Sequence, residues 1–83
     1  MDDDFHYKGV HLVRTCYACP EQYDAMMDGR KVGYFRLRHG YFTVDAGDIE
    51  VYEAEPKGDG IFEYEEREGF LRAGIDAILD AIK

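Results

Sequence analysis

Apolar and polar positions alternate on both sides of His39-Gly40. If these two residues form a tight hairpin loop with positive φ, residue pairs sum to 79, so Arg38 faces Tyr41, Leu37 faces Phe42, Arg36 faces Thr43 and Phe35 faces Val44. Phe35, Leu37, Phe42 and Val44 then share one face, and Arg36, Arg38, Tyr41 and Thr43 the other, as a half-buried antiparallel pair requires. Asp28-Gly29 is a second hairpin signal and would pair Ala25 with Val32 and Tyr23 with Tyr34. Its competitor over residues 20–28 is a helical turn opened by Pro20 and ended by Gly29; the hairpin is preferred. Val10 to Val13 reads as an opening strand and Ile49 to Ala54 as a closing one, with a turn around Gly47 before it.

After Pro56 the pattern changes period. Lys57, Gly58, Asp59 and Gly60 form a loop, and Leu71, Ile75, Ile78 and Ile82, with Leu79 beside them, make one helical stripe. Glu63, Glu65 and Glu66 suit the dipole at the start of a helix. Gly69 and Gly74 each cost a helix about 1 kcal/mol relative to Ala, which predicts a separate first piece ending near Gly69. Gly74, beside the stripe, would let the helix approach a sheet closely. The expected fold is α+β, an antiparallel meander of four to five strands packed on one face by a C-terminal helix. No repeat or linker divides the 83 residues, so residues 1–83 read as one domain.

Only 22 of the 83 residues are Ile, Leu, Val, Phe or Met, so the core must recruit tyrosine and alanine. The longest apolar run, Cys16 to Cys19, is four residues, far below the roughly 20 of a transmembrane helix. Met1 is followed by Asp2, Asp3 and Asp4 where a signal peptide carries basic residues, and a cytoplasmic protein is expected. The net charge of -8 lies entirely in residues 45–68, where ten acids face Lys57 and Arg67. Residues 30–39 hold Arg30, Lys31, Arg36 and Arg38 and no acid. The acidic balance argues against membranes and direct nucleic-acid binding, both partners being polyanions.

Several chemistries fail on the residues. The chain has no serine, which removes serine nucleophiles, and neither type of Gly-rich phosphate loop. His6, His11 and His39 have no spacing that pairs them with a cysteine as a catalytic dyad. Cys16-Tyr17-Ala18-Cys19 is half a zinc site, and with no second CxxC or HxxxH it reads as structural thiols, a zinc-binding domain being the alternative. Glu55 to Glu66 imitates a calcium loop but puts Lys57 at position three, where a ligand oxygen is needed, and reads as an acidic helix start. No enzyme, cofactor or metal is therefore expected.

Two surfaces remain. Glu53, Glu55, Glu65 and Glu68 are the candidate partner-binding residues, since carboxylates aligned on a strand face and a helix face could imitate the phosphate track of a nucleic acid. Tyr34, Arg36, Arg38 and Tyr41 are the alternative, a platform of rings and guanidinium groups suited to a nucleotide. The bland reading of that platform is a solvated face whose arginines pair with carboxylates of the neighbouring strand, and it is preferred.

The run from Cys19-Pro20-Glu21-Gln22-Tyr23-Asp24 through Gly29-Arg30-Lys31-Val32-Gly33-Tyr34-Phe35-Arg36-Leu37-Arg38-His39-Gly40-Tyr41-Phe42, with the later Gly58-Asp59-Gly60-Ile61-Phe62 and Glu66-Arg67, resembles small uncharacterised proteins encoded by phages and prophages. The resemblance spans about residues 16–75 and carries over no catalytic residue. It implies a phage context, in which small acidic proteins bind and block bacterial host or defence proteins, nucleases among them, as anti-CRISPR proteins do. The expected function is thus a stoichiometric, non-enzymatic inhibitor or modulator of a bacterial protein, with its oligomeric state open.

Overall fold

The computed structural model describes residues 5–16 and 21–82. Six strands form one antiparallel sheet in sequence order: β1 (Phe5–Tyr7), β2 (Val10–Cys16), β3 (Glu21–Met27), β4 (Arg30–Arg38), β5 (Tyr41–Ala46) and β6 (Ile49–Ala54). Among the described residues a single helix, α1 (Tyr64–Ala81), lies across one face. The architecture is the α+β meander with a C-terminal helix that the pattern predicts. The strand number is a correction, six rather than four to five.

The additional strand is β1, joined to β2 through Lys8 and Gly9, whose φ values of 50° and 82° make the same left-handed two-residue turn as Asp28-Gly29 and His39-Gly40. Lys-Gly lacks the Asn-Gly or Asp-Gly signature of such turns, and three residues are too few to show a period. The opening strand also runs past Val13 to Cys16. Residues 21–27 are strand rather than helical turn, with Glu21, Tyr23 and Ala25 buried and the residues between them half-buried.

The β4–β5 register matches the expected pairs from Phe35↔Val44 to Arg38↔Tyr41. The β3–β4 register differs. Met27 and Met26 pair with Arg30 and Lys31 across the turn, but Ala25 pairs with Gly33 and Tyr23 with Phe35, so Val32 is the extra residue of a bulge. Without the bulge Tyr23 would oppose Tyr34, and the core face of β3 would meet the solvent face of β4. With it, Tyr23 and Phe35 both turn inward.

Leu12, Ala25, Phe35, Leu37, Phe42 and Val44 from the sheet and Leu71, Ile75 and Ile78 from the helix are buried together. Burying each large side chain contributes about 1.5–3 kcal/mol. Phe42 is the centre of an aromatic cluster, with ring centroids 5.0 Å from Phe62 and 6.0 Å from Phe70. Gly74 lies at the closest approach, where a Cβ would sit 2.5 Å from Phe35 Cε2 and 2.8 Å from Val44 Cγ2. Gly33 on the sheet side makes the matching space for Ile78, whose Cδ1 would be 2.4 Å from a Cβ there.

The helix does not break at Gly69, contrary to the expected separate first piece. Burial of Leu71, Ile75 and Ile78 downstream exceeds the roughly 1 kcal/mol that one glycine costs. Ile82 leaves the stripe as the C-terminal capping residue and is 49% exposed. Among the described residues no helix is long and apolar enough to cross a membrane.

Candidate functional site

Because α1 covers one face of the sheet, alternation sends every second side chain to an open face. Rungs of the ladder fix the order of side chains there. Arg36 pairs with Thr43 and Thr43 with Glu53, so these three lie in line across β4, β5 and β6. One step to one side stands the pair Arg38–Tyr41, and one step to the other the row Tyr34–Asp45–Glu50. A bulge at Val44/Asp45 keeps Glu50 on the same face as Glu53 despite their odd spacing.

The face is basic along β4 and acidic along β6. Tyr41 donates its hydroxyl hydrogen bond to Glu53 Oε2. That bond first, then burial and the negative charge of Glu53, Glu50 and Glu55, pushes the Tyr41 phenol up to about 12. Protonated, Glu50 can donate to the Glu53 carboxylate, and this, followed by desolvation and repulsion from Glu53 and Asp45, raises its carboxyl above the ordinary value. Glu53 itself is held low by the hydrogen bonds from Tyr41 and Glu50. Nearer β3, Tyr34 donates to Gln22 Oε1, while Lys31 Nζ is 3.1 Å from Asp24 and 5.2 Å from the Tyr34 ring centre.

Arg36 and Arg38 make no ion pair or hydrogen bond with the described residues. The preferred bland reading, arginines neutralised by the neighbouring strand, is therefore not the observed arrangement: the Glu53 carboxylate accepts from Tyr41. With His39, Tyr41 and Thr43, the two arginines instead line a shallow depression of about 400 Å³.

The four predicted carboxylates do not form one track. Glu53 projects from the open face, and the pleat's alternation carries Glu55, exposed one residue beyond β6, to the same side. Glu65 and Glu68 lie on α1, on the other side of the sheet, where they flank a groove with Phe5, Tyr64, Arg67 and Leu71. Glu68 is ion-paired to Arg72 one turn on. Conversely, Glu53 shares its face with Tyr34, Arg36, Arg38 and Tyr41, so half of one predicted site merges with the whole of the other.

The calcium-loop imitation resolves into a structural role. Glu66, at the twelfth position, accepts hydrogen bonds from the backbone N–H groups of Lys57 at 2.9 Å, Gly58 at 2.8 Å and Glu63 at 2.9 Å. Desolvation pushes its carboxyl up, but the three donors together outweigh that and hold it below the ordinary value. Among the described residues no group of three or more His, Cys, Asp or Glu is placed to hold a metal. Cys16 closes β2, and Cys19 lies outside the described residues. His6 and His11 stack across β1 and β2 with ring centroids 4.1 Å apart.

Sequence reasoning missed Glu21. Its side chain is fully buried and receives Arg67 Nε at 2.8 Å, Arg67 Nη2 at 3.2 Å, the Phe62 N–H at 2.9 Å and the Tyr23 hydroxyl. Its own N–H donates to Gly60 O at 2.7 Å. The one available signal was the strand pattern, which puts Glu21 inward beside Tyr23 and Ala25. All its partners are structural, so it positions the 56–63 loop and the helix start and faces no open site.

No family model matches the chain, and neither a curated protein nor a solved structure matches it significantly.

Proposed function

We propose that this protein is a small non-enzymatic binding module that acts stoichiometrically on a bacterial host or defence protein and engages it through the open face of its sheet. The observation that carries this reading is the pair Arg36 and Arg38, without ion-pair partners among the described residues, with Arg36 in line across β5 with Glu53 and Arg38 on the next rung. Such a face meets a partner surface bearing both signs of charge, and it steers association by charge complementarity. The resemblance to phage-encoded proteins supports a bacterial protein, a nuclease among the candidates, as the target. With Glu65 and Glu68 on the far side, imitation of a continuous phosphate track is not part of the proposal. The test is capture from bacterial lysate by wild type and by Arg36→Ala/Arg38→Ala. A partner that the wild type retains at low salt, and that high salt or the double variant releases, supports the reading. Equal capture by both chains overturns it.

A second reading rests on the depression formed by Arg36, Arg38, His39, Tyr41 and Thr43, which would hold the phosphate of a nucleotide against the Tyr41 ring. The Glu53 carboxylate beside Tyr41 opposes an anion there, so it stands second. A nucleotide that binds only the folded chain raises the melting temperature by mass action; a panel of mono-, di- and cyclic nucleotides that gives no shift removes it.

A further inference from the structure

We propose that, in the absence of its partner, the β4–β6 part of the open sheet face is covered by a second copy of this chain, related by a two-fold axis that runs along β5. The rung Arg36–Thr43–Glu53 carries positive charge at one end, a small neutral side chain at its middle and negative charge at the other end. Rotation by half a turn about an axis parallel to β5 and just above Thr43 exchanges the β4 and β6 sides and keeps the height along the strand. Arg36 of each copy then lies over Glu53 of the other. The next row follows the same rule: Arg38 of one copy lies over Glu55 of the other, with Tyr41 near the axis.

The charge arrangement of the single chain favours this occupant. Arg36 and Arg38 have no ion pair among the described residues, whereas Glu50 and Glu53 of β6 occupy successive rungs on the same face. Cations without anions and anions crowded together, on one face and roughly 9–10 Å apart, are two halves of an interface that completes itself only with a symmetric copy. Face-to-face sheets pack about 10 Å apart with strands crossing at about 30°, a gap that an arginine and a glutamate facing each other span. The molecule measures 31 × 28 × 20 Å. With the axis on β5, only β4, β5 and β6 of each copy face each other, about half of the sheet, so the interface falls below the roughly 800 Å² per partner of a standard one, and its polar centre makes the dimer weak and salt-sensitive.

The inference goes beyond the proposed function and is tested without any partner. Sedimentation equilibrium of the wild type from about 10 to 500 µM at low salt is expected to show a monomer–dimer equilibrium that about 1 M NaCl shifts to monomer. Arg36→Glu and Glu53→Arg, each alone, oppose like charges across the axis and are expected to raise the dimer Kd at least about tenfold. The equimolar mixture of the two variants, and the chain carrying both reversals, regain the dimer. Circular dichroism confirms that each variant is folded, and the chain with both reversals serves where a single variant is not. A wild type that stays monomeric at about 500 µM, a dimer indifferent to the single reversals, or a mixture that fails to associate overturns the inference. None of those outcomes bears on whether a bacterial partner is captured.

Discussion

Glu21 and Arg67 stand 46 residues apart in the chain and meet through two hydrogen bonds, Nε to Oε2 at 2.8 Å and Nη2 to Oε1 at 3.2 Å, with the carboxylate fully buried. The contact joins the first residue of β3 to the first turn of α1 and closes over the loop between β6 and the helix. Removing one partner of a buried pair leaves the other without compensation, which typically costs about 3–5 kcal/mol. Glu21→Ala is expected to destabilise by about that amount, because the Phe62 N–H and Tyr23 hydroxyl also lose their acceptor. Glu21→Gln keeps an acceptor and the shape, and costs less. Urea unfolding of the two variants checks the order.

The same carboxylate sets the acid limb of stability. Burial pushes the Glu21 carboxyl up, but hydrogen bonds from Arg67, Tyr23 and the Phe62 N–H outweigh it, and its value lies below the ordinary 4.5. Glu66 is lowered in the same way. A depressed folded value contributes stability that is present above the unfolded value and lost as pH falls through the folded one. The melting temperature is expected to stay flat from neutral pH down to about 4.5 and to drop below it. Glu50, raised above 4.5, acts in the opposite sense but is exposed and screened. Glu21→Gln should flatten the acid limb; an unchanged limb would mean that other carboxylates set it.

Gly74 and Gly69 lie five residues apart on one helix and should respond in opposite directions. A Cβ at Gly74 would meet Phe35 Cε2 at 2.5 Å and Val44 Cγ2 at 2.8 Å, and overpacking of this kind costs about 1–3 kcal/mol. At Gly69 nothing lies within 4 Å, so Gly69→Ala gains helix propensity of about 1 kcal/mol. Thermal melts of the two single variants decide it, and two shifts of the same sign would contradict the packing described.

The period of the hydrophobic pattern was enough to locate β4, β5, their turn and the apolar stripe of α1, because each is long and has one dry face. Three features were not legible for physical reasons. β1 has three residues and a Lys-Gly turn whose left-handed geometry has no compositional signature. The bulge at Val32 is a register choice made by the inward demand of Tyr23 and Phe35 together, visible only once both are known to be core. The split of the acidic segment between the two sides of the sheet depends on where α1 lies, which local spacing does not encode. The candidate face was half legible: the hairpin register put Arg36, Arg38, Tyr41 and Thr43 together, whereas the in-line position of Glu53 required the β5–β6 register.

Glu66 gives the last prediction, for the loop between β6 and α1. Its carboxylate ties down the N–H groups of Lys57, Gly58 and Glu63, so it substitutes for the backbone partners that a loop lacks and caps the helix with the same oxygens. Gly58 is required beneath it, since a Cβ there would lie 2.0 Å from Ile61 O. Glu66→Ala removes the acceptor of all three N–H groups at once; since these are exposed or half-buried and water can replace it, the expected cost is about 0.5–2 kcal/mol, the range of a lost cap. The loss should be local. Amide hydrogen exchange at Lys57, Gly58 and Glu63 should quicken far more than at Phe35 or Leu37 in β4, since local opening exposes the loop without melting the sheet. Glu66→Gln, with a single acceptor oxygen, should fall between wild type and the alanine variant. Exchange that quickens equally in β4 and in the loop would show that Glu66 holds the whole domain and not this segment alone.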